Sequence, residues 1–464
     1  MKRRILAGFL TACLLFTQLF TATVRAEEEQ EQPDPVEAEK AASLAVPPET
    51  NSVEGWPQGP GVYADSAIVM DIDSKAILYG KRIDVQHYPA SITKILTTLI
   101  ALENAELTDE VSFSQASVDF LEYGDAHIGM HPGEVISLQD ALYAVLLASA
   151  NEVSYAVAES VGNRLGGGYD AFIQKMNERS AELGCKNSHW TNANGLHDEQ
   201  HYTTAYDMAL IGAAVYPKEA FRTITQTLQY TIPPTNLIEE SRTFQQNHKM
   251  LYEQNQYYYP YCTGGKTGFT DQARTTLVTF AEKDGLRLVC VNLRSFGGVA
   301  YTDTTAMFDY AFSGFSHVSM KDYLKEDQVE KCLTEEPVLT LPKGADPKEL
   351  QIEYQLAEGG KKRQAVLTYT YHGQTVGTAD VILKPSYYKE VKKISDPTVV
   401  KVKEKAEKTE SINMQKIILI ILGVLSVSIL AVTLVLREKR KRIRSRRRKL
   451  RGEKRKSKDE KRSV

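Results

Sequence analysis

Between about residues 62 and 315 the chain opens with two strand-like runs, closes with three, and carries helical patterns in between. That order constrains the fold more than any other feature. Strands from the two ends of one block can join a single sheet, and the helices between them must cover it or stand as an inserted subdomain. The runs are 67–71 and 76–79, joined through Ile72-Asp73-Ser74 as a hairpin turn, then 264–270, 275–280 and 286–293, the last two joined by Lys283-Asp284-Gly285. Helical periodicity covers 91–103, 137–162, 169–184 and 203–215, and a final helix runs from about 304 to 312. The expected class is α/β (α+β): an antiparallel sheet with a helical subdomain inserted.

A second block, 316–393, reads as a small all-β domain. Leu350, Ile352, Tyr354 and Leu356 alternate with Gln351, Glu353 and Gln355, the period of a half-buried strand, and His372-Gly373-Gln374 sits between two further runs as a hairpin. We expect it to act as a stalk.

The ends of the chain carry the charge. Residues 437–464 hold 17 Lys/Arg against 4 Asp/Glu, a net +13, so the rest of this −3 chain carries −16. Just before that block, 417–436 is uncharged and apolar over 20 residues, which at about 1.5 Å per residue matches a hydrocarbon core of about 30 Å. The basic tail then sets the C-terminus on the cytoplasmic side and meets anionic lipid, a simpler reading than nucleic-acid binding. At the other end, Lys2, Arg3 and Arg4, an apolar run and Val24-Arg25-Ala26 read as a signal peptide over 1–26. Residues 27–60, acidic and rich in Pro and Ala, read as a flexible leader. The expected order is therefore signal 1–26, leader 27–60, main domain 61–315, β-rich stalk 316–393, charged linker 394–416, transmembrane helix 417–436 and basic tail 437–464. Cys185, Cys262, Cys290 and Cys332 show no metal-ligand spacing, and the three pairings open to them stay open.

Three short motifs fall in order: Ser91-Ile92-Thr93-Lys94, Ser149-Ala150-Asn151 and Lys266-Thr267-Gly268. A Ser-x-x-Lys should occur by chance roughly twice in a chain this long, and Ser386-Tyr387-Tyr388-Lys389 is such a decoy, with no helix expected after it. The Ser91 copy has the right context. Proline precedes it by two residues, and a helix starting there puts Lys94 one turn up on the same face. A serine hydroxyl needs an adjacent base, and a lysine is a base only if burial or another cation lowers its pKa. Lys266 is a candidate for that cation. The glycine of Lys266-Thr267-Gly268, within a strand, marks close backbone approach.

Together these motifs resemble those of the penicillin-recognising serine D,D-peptidases, and most of all the D-alanyl-D-alanine carboxypeptidases. Connecting segments are similar too: Ile128-Gly129-Met130-His131-Pro132-Gly133-Glu134, Leu147-Ala148-Ser149-Ala150-Asn151-Glu152, and Trp190-Thr191-Asn192-Ala193-Asn194-Gly195-Leu196 with the stretch from His201 to Met208. The resemblance implies a penicillin-binding/β-lactamase-like transpeptidase fold that removes the terminal D-alanine of peptidoglycan stem peptides, is acylated by β-lactams and needs no cofactor or metal. It implies Ser91 as nucleophile, Lys94 as its base, Ser149 as proton relay to the leaving group and Asn151 as holder of the peptide amide. Lys266 and Thr267, with Gly268 in the same motif, bind near the terminal carboxylate, assisted by Thr270. The backbone N–H groups of Ser91 and Phe269 form the oxyanion hole. The family has an arginine for the carboxylate where this chain has Tyr301, and Arg294 is the nearest alternative; it has glycine where this chain has Arg274 and proline where it has Ala193.

A membrane-bound sensor of β-lactams or peptidoglycan, acylating without turnover, would share all three motifs, but one span and a short tail offer it no output domain. A β-lactamase lacks a Glu-x-x-Leu-Asn segment here, and a metallopeptidase lacks His-Glu-x-x-His.

Overall fold

The computed structural model describes residues 34–357 and 363–394. The signal peptide expected at 1–26, the span at 417–436, the tail at 437–464 and nearly all of the 394–416 linker lie outside the described residues. Among the described residues no helix is long and apolar enough to cross a membrane.

Strands from both ends of the first block do share one sheet. β1 (Ser66–Asp71) and β2 (Ile77–Lys81) come from its start. Two short pairs follow, β3 (Glu110–Ser112) with β4 (Val135–Ser137) and β5 (Gln229–Ile232) with β6 (Arg242–Gln245); then β7 (Cys262–Thr270), β8 (Arg274–Lys283) and β9 (Leu286–Ser295) close the block. The sheet order is β2-β1-β9-β8-β7, antiparallel throughout. β1 is buried along its whole length, because helices lie on both faces of the sheet. Gly212, in helix Ala205–Val215, packs on Val289 and Phe280. Alternate residues of β9 point the other way, and there Asn292 Nδ2 donates to Thr304 Oγ1 of helix Val299–Gly314 at 2.8 Å.

The inserted helices build the main apolar core with the sheet, through Leu96, Leu99, Leu146, Val153, Val157 and Phe172 among others. One expectation fails here. Residues 137–162 are not one helix. Helix Leu138–Tyr143 runs into a π-helical turn, Ala144–Ala148, and the chain then breaks at Ser149, whose φ of 61° and ψ of 29° are left-handed, before helix Asn151–Arg164 begins. Apolar residues continue through the break, so periodicity does not register it. Such π turns inside helical stretches often mark functional sites.

The leader is a second correction. From residue 34 on it is ordered and packed: helix Pro35–Leu44 starts on an Asp34 cap, Val36 N donating to Asp34 Oδ1 at 2.9 Å. Fully buried Lys81 of β2 points its ammonium at two oxygens of this segment, Ser43 O and Oγ, and at Val62 O and Ala64 O just beyond it, at 2.7 to 3.0 Å. Trp56 is buried, donates from Nε1 to Leu78 O at 2.9 Å, and lies 5.1 Å from the Phe315 ring. These anchors are one aromatic ring and several main-chain carbonyls, so no side-chain period betrays them.

Between residues 315 and 383 the described chain is β-rich. β10 (Phe315–Ser319) pairs with β12 (Val338–Pro342), and β11 (Val329–Cys332), β13 (Leu350–Leu356), β14 (Gln364–Tyr371) and β15 (Gln374–Leu383) form a sheet ordered β11-β15-β14-β13. The described residues up to Leu383 form one compact unit. Ser74 Oγ meets Thr340 Oγ1 at 2.6 Å, and His317 Nε2 meets Asp71 Oδ2 at 2.9 Å. The unit that starts at Lys384 shows helix Pro385–Ile394, so the Ser386–Lys389 decoy lies on a helix after all, contrary to expectation; both residues are exposed.

Because Trp56 closes the leader onto β2 and Phe315, we predict that Trp56→Ala lowers unfolding free energy by roughly 3–5 kcal/mol in urea titration, the range for removing a buried aromatic. A loss below about 0.5 kcal/mol, the range of an ordinary surface change, would mean the leader is not part of the folding unit.

Candidate active site

Ser91 lies in a single 3₁₀ turn, Ala90–Thr93, that leads directly into helix Lys94–Asn104. The turn is pinned from three directions. Ala90 takes a positive φ of 51°. Thr276 Oγ1 of β8 donates to Pro89 O at 2.8 Å. Thr93 Oγ1 donates to Ala90 O at 2.8 Å and faces His201 Nε2 at 2.8 Å. The Thr191 N–H donates to His201 Nδ1 at 3.0 Å, so the proton of this imidazole sits on Nε2 and points at Thr93. Burial pushes the His201 pKa down to about 3, which keeps the ring neutral.

Two glycines let the neighbouring backbone come close. A Cβ on Gly268 of β7 would press on Thr276 Oγ1 and stand 2.9 Å from the Ser91 nitrogen, and a Cβ on Gly195 would overlap Ala90 O. Gly195 also needs its φ of 85°.

Lys94 is fully buried, and its Nζ lies 3.2 Å from Ser91 Oγ, 2.7 Å from Asn151 Oδ1 and 2.6 Å from Asn194 O. On the opposite wall the left-handed Ser149 turns its hydroxyl to Lys266 Nζ at 3.0 Å, and Lys266 Nζ also donates to Thr267 O at 2.8 Å. Lys266 is 1% exposed. Burial, followed by the repulsion of Lys266, holds the Lys94 pKa well below the usual lysine value. Burial pushes Lys266 down to about 7.

This geometry fixes what a neutral Lys94 can do. An amine has two N–H groups and one lone pair, whereas Asn151 Oδ1 and Asn194 O can only accept. Both N–H groups are therefore taken, and the lone pair is left for the Ser91 hydroxyl proton. The carbonyl of Asn194 was not among the expected site atoms, although its segment, Trp190 to Leu196, was singled out.

A cavity of about 340 Å³ opens beside Ser91. Ser91, Ser149, Thr267, Gly268 and Phe269 line it; Lys94, Asn151 and Lys266 reach it through the hydrogen bonds above. Thr270 stays outside, its hydroxyl accepting from Ala273 N at 3.0 Å in the β7–β8 turn. Tyr301 does line the cavity, and Arg294 does not: its guanidinium lies against Glu39 Oε1 at 2.8 Å and borders a separate hollow with His87 and Tyr202. Arg274, at a positive φ of 58° that suits the glycine expected there, lies 3.6 Å from the same Glu39. Lys249, Thr275 and Thr276 also line the cavity and were not foreseen, because none stands within a motif.

Removing the Lys266 charge by Lys266→Met should raise the pH at which Lys94 titrates, since that charge is one of the two forces lowering it. Lysine-selective ¹³C NMR reads this directly. An unmoved or lowered Lys94 transition would contradict the electrostatic coupling.

The family model described as D-alanyl-D-alanine carboxypeptidase matches residues 54–297. The D-alanyl-D-alanine carboxypeptidase DacF of Bacillus subtilis is 30% identical over 261 residues, 54% of this chain and 63% of that protein. DacB2 of Mycobacterium tuberculosis, of the same name, is 31% identical over 271 residues, covering 55% of this chain and 84% of that one. In structure, the Streptomyces K15 DD-transpeptidase superposes with a TM-score of 0.50 at 25% identity, over 55% of this chain and all of that one. The family match alone spans more than half of the 464 residues, and the chain belongs to the D-alanyl-D-alanine carboxypeptidase family.

Proposed function

We propose that the chain is a serine-type D-Ala-D-Ala carboxypeptidase that removes the terminal D-alanine from peptidoglycan stem peptides through an acyl-enzyme on Ser91. The observation that carries this reading is the Lys94 nitrogen, set 3.2 Å from Ser91 Oγ with both its N–H positions claimed by carbonyl oxygens. In the first step Ser91 Oγ attacks the carbonyl of the penultimate D-alanine while its proton passes to Lys94 Nζ. The oxyanion faces the backbone N–H groups of Ser91 and Phe269. Ser149, held by Lys266, passes a proton to the departing amine of D-alanine, and Asn151 orients the peptide amide. Thr267 and Gly268 line the pocket for the leaving residue. The proton that Lys94 took from Ser91 replaces the one Ser149 gives up, so Lys94 is neutral again when water hydrolyses the Ser91 ester. It then takes the water proton and returns it to Ser91 Oγ as the shortened peptide leaves as its acid. A β-lactam, whose strained amide mimics the same bond, acylates Ser91 and leaves slowly.

The same reading places the catalytic unit outside the cell, exported by the 1–26 segment and tethered by 417–436 with the basic tail inside, where its charge favours anionic lipid. We read the β-rich block as the spacer between cleft and tether.

Mass spectrometry after penicillin treatment should find one adduct, on Ser91, and the wild-type chain should release D-alanine from a pentapeptide ending in D-Ala-D-Ala. Ser91→Ala should abolish both, and Lys94→Ala should slow acylation by about 10²–10⁴-fold or more. An adduct retained in Ser91→Ala rules Ser91 out. Acylation without any D-alanine release would instead favour a sensor.

A further inference from the structure

A carboxypeptidase differs from an endopeptidase in that it reads a free carboxylate, and an anion entering a partly dry cavity needs a cation to meet it. Lys94 and Lys266 form the buried wall behind Ser91 and Ser149, and their hydrogens are directed at protein oxygens. Arg294 and Arg274 turn to Glu39, away from the cavity. Among the described residues that line the cavity, Lys249 is the one charged side chain.

Its setting is a built one. Lys249 begins a short 3₁₀ turn, Lys249–Leu251, between two fully buried residues, His248 and Met250. His248 is itself tied to Thr279 Oγ1 of β8 at 2.9 Å, so the turn is fixed to the sheet that carries Lys266. The ammonium lies 5.8 Å from the centre of the Tyr257 ring and 6.0 Å from that of Tyr301, and the two rings stack 5.0 Å apart. These faces hold a cation without neutralising it. No carboxylate among the described residues pairs with it. Thr275, whose hydroxyl accepts from Gly297 N at 2.8 Å and keeps its own proton to donate, lines the same cavity.

We propose that Lys249, steered by Tyr257 and Tyr301, receives the C-terminal carboxylate of the substrate and sets the enzyme's preference for a free chain end. The inference rests on the carboxypeptidase reading above. Tyr301 then supplies no charge of its own; it holds the cation that does.

The test compares two peptides, one ending in D-Ala-D-Ala and one in D-Ala-D-alaninamide, which differ only in the terminal charge. Wild type should prefer the free acid. Lys249→Met should lower kcat/KM for the acid by about 10- to 100-fold, the usual span for losing a hydrogen bond to a charged group, and leave the amide nearly unchanged. Lys249→Arg should restore most of the preference, and melting temperatures of all three should agree. An unchanged acid-to-amide ratio in Lys249→Met overturns the assignment, as does an equal loss on both peptides, which marks a merely structural role. If wild type releases product from neither peptide, the carboxypeptidase reading falls first and this inference with it.

Discussion

The site depends on one buried nitrogen. Lys94 Nζ has three oxygen neighbours within 3.2 Å, and two of them are carbonyls that cannot donate. Those two oxygens do more than orient a side chain. They saturate the N–H groups of a neutral amine and leave its lone pair on the one neighbour that carries a proton. Burial and the nearby Lys266 make that neutral form accessible. Most of the surrounding architecture serves to hold these atoms: helix Lys94–Asn104 supplies the amine, the break at Ser149 starts the helix that presents Asn151, and the Gly195 turn offers the Asn194 carbonyl.

Placing those parts requires pieces from distant stretches of chain to meet, and the sheet order explains how they do. Strands β7, β8 and β9 join β1 and β2 in the sheet only after the whole helical insertion has been made. The insertion therefore has to close over the sheet, with Ser149 above Lys266 and the Ser91 turn against Gly268. The leader belongs to the same construction, since helix Pro35–Leu44 brings Glu39 to Arg294 and Arg274 and gives Lys81 two of its four oxygens, both from Ser43. Its acidic composition reads as solvation, while its carbonyls and Trp56 are bound into the fold.

The sheet strands and most helices were legible because their periodicity is strong and their turns are marked by Gly, Asp and Ser. The motif residues Ser91, Lys94, Ser149, Asn151 and Lys266 were legible as types at set spacings, and they do lie together. What escaped was carried by backbone. The Ser149 break is a matter of one φ angle inside an apolar run, and the Asn194 carbonyl looks like every other carbonyl in sequence. Lys249 is one lysine among many until Tyr257 and Tyr301 are seen around it, and Arg294 looked suitable until Glu39 was found beside it.

The most direct measurement is the proton inventory of Lys94 in the free enzyme, by neutron diffraction from deuterated crystals at neutral pH. The account predicts two deuterons on Nζ, aimed at Asn151 Oδ1 and Asn194 O, with the Ser91 hydroxyl deuteron pointing at the vacant position. Three deuterons on Nζ, one of them directed at Ser91 Oγ, would contradict it.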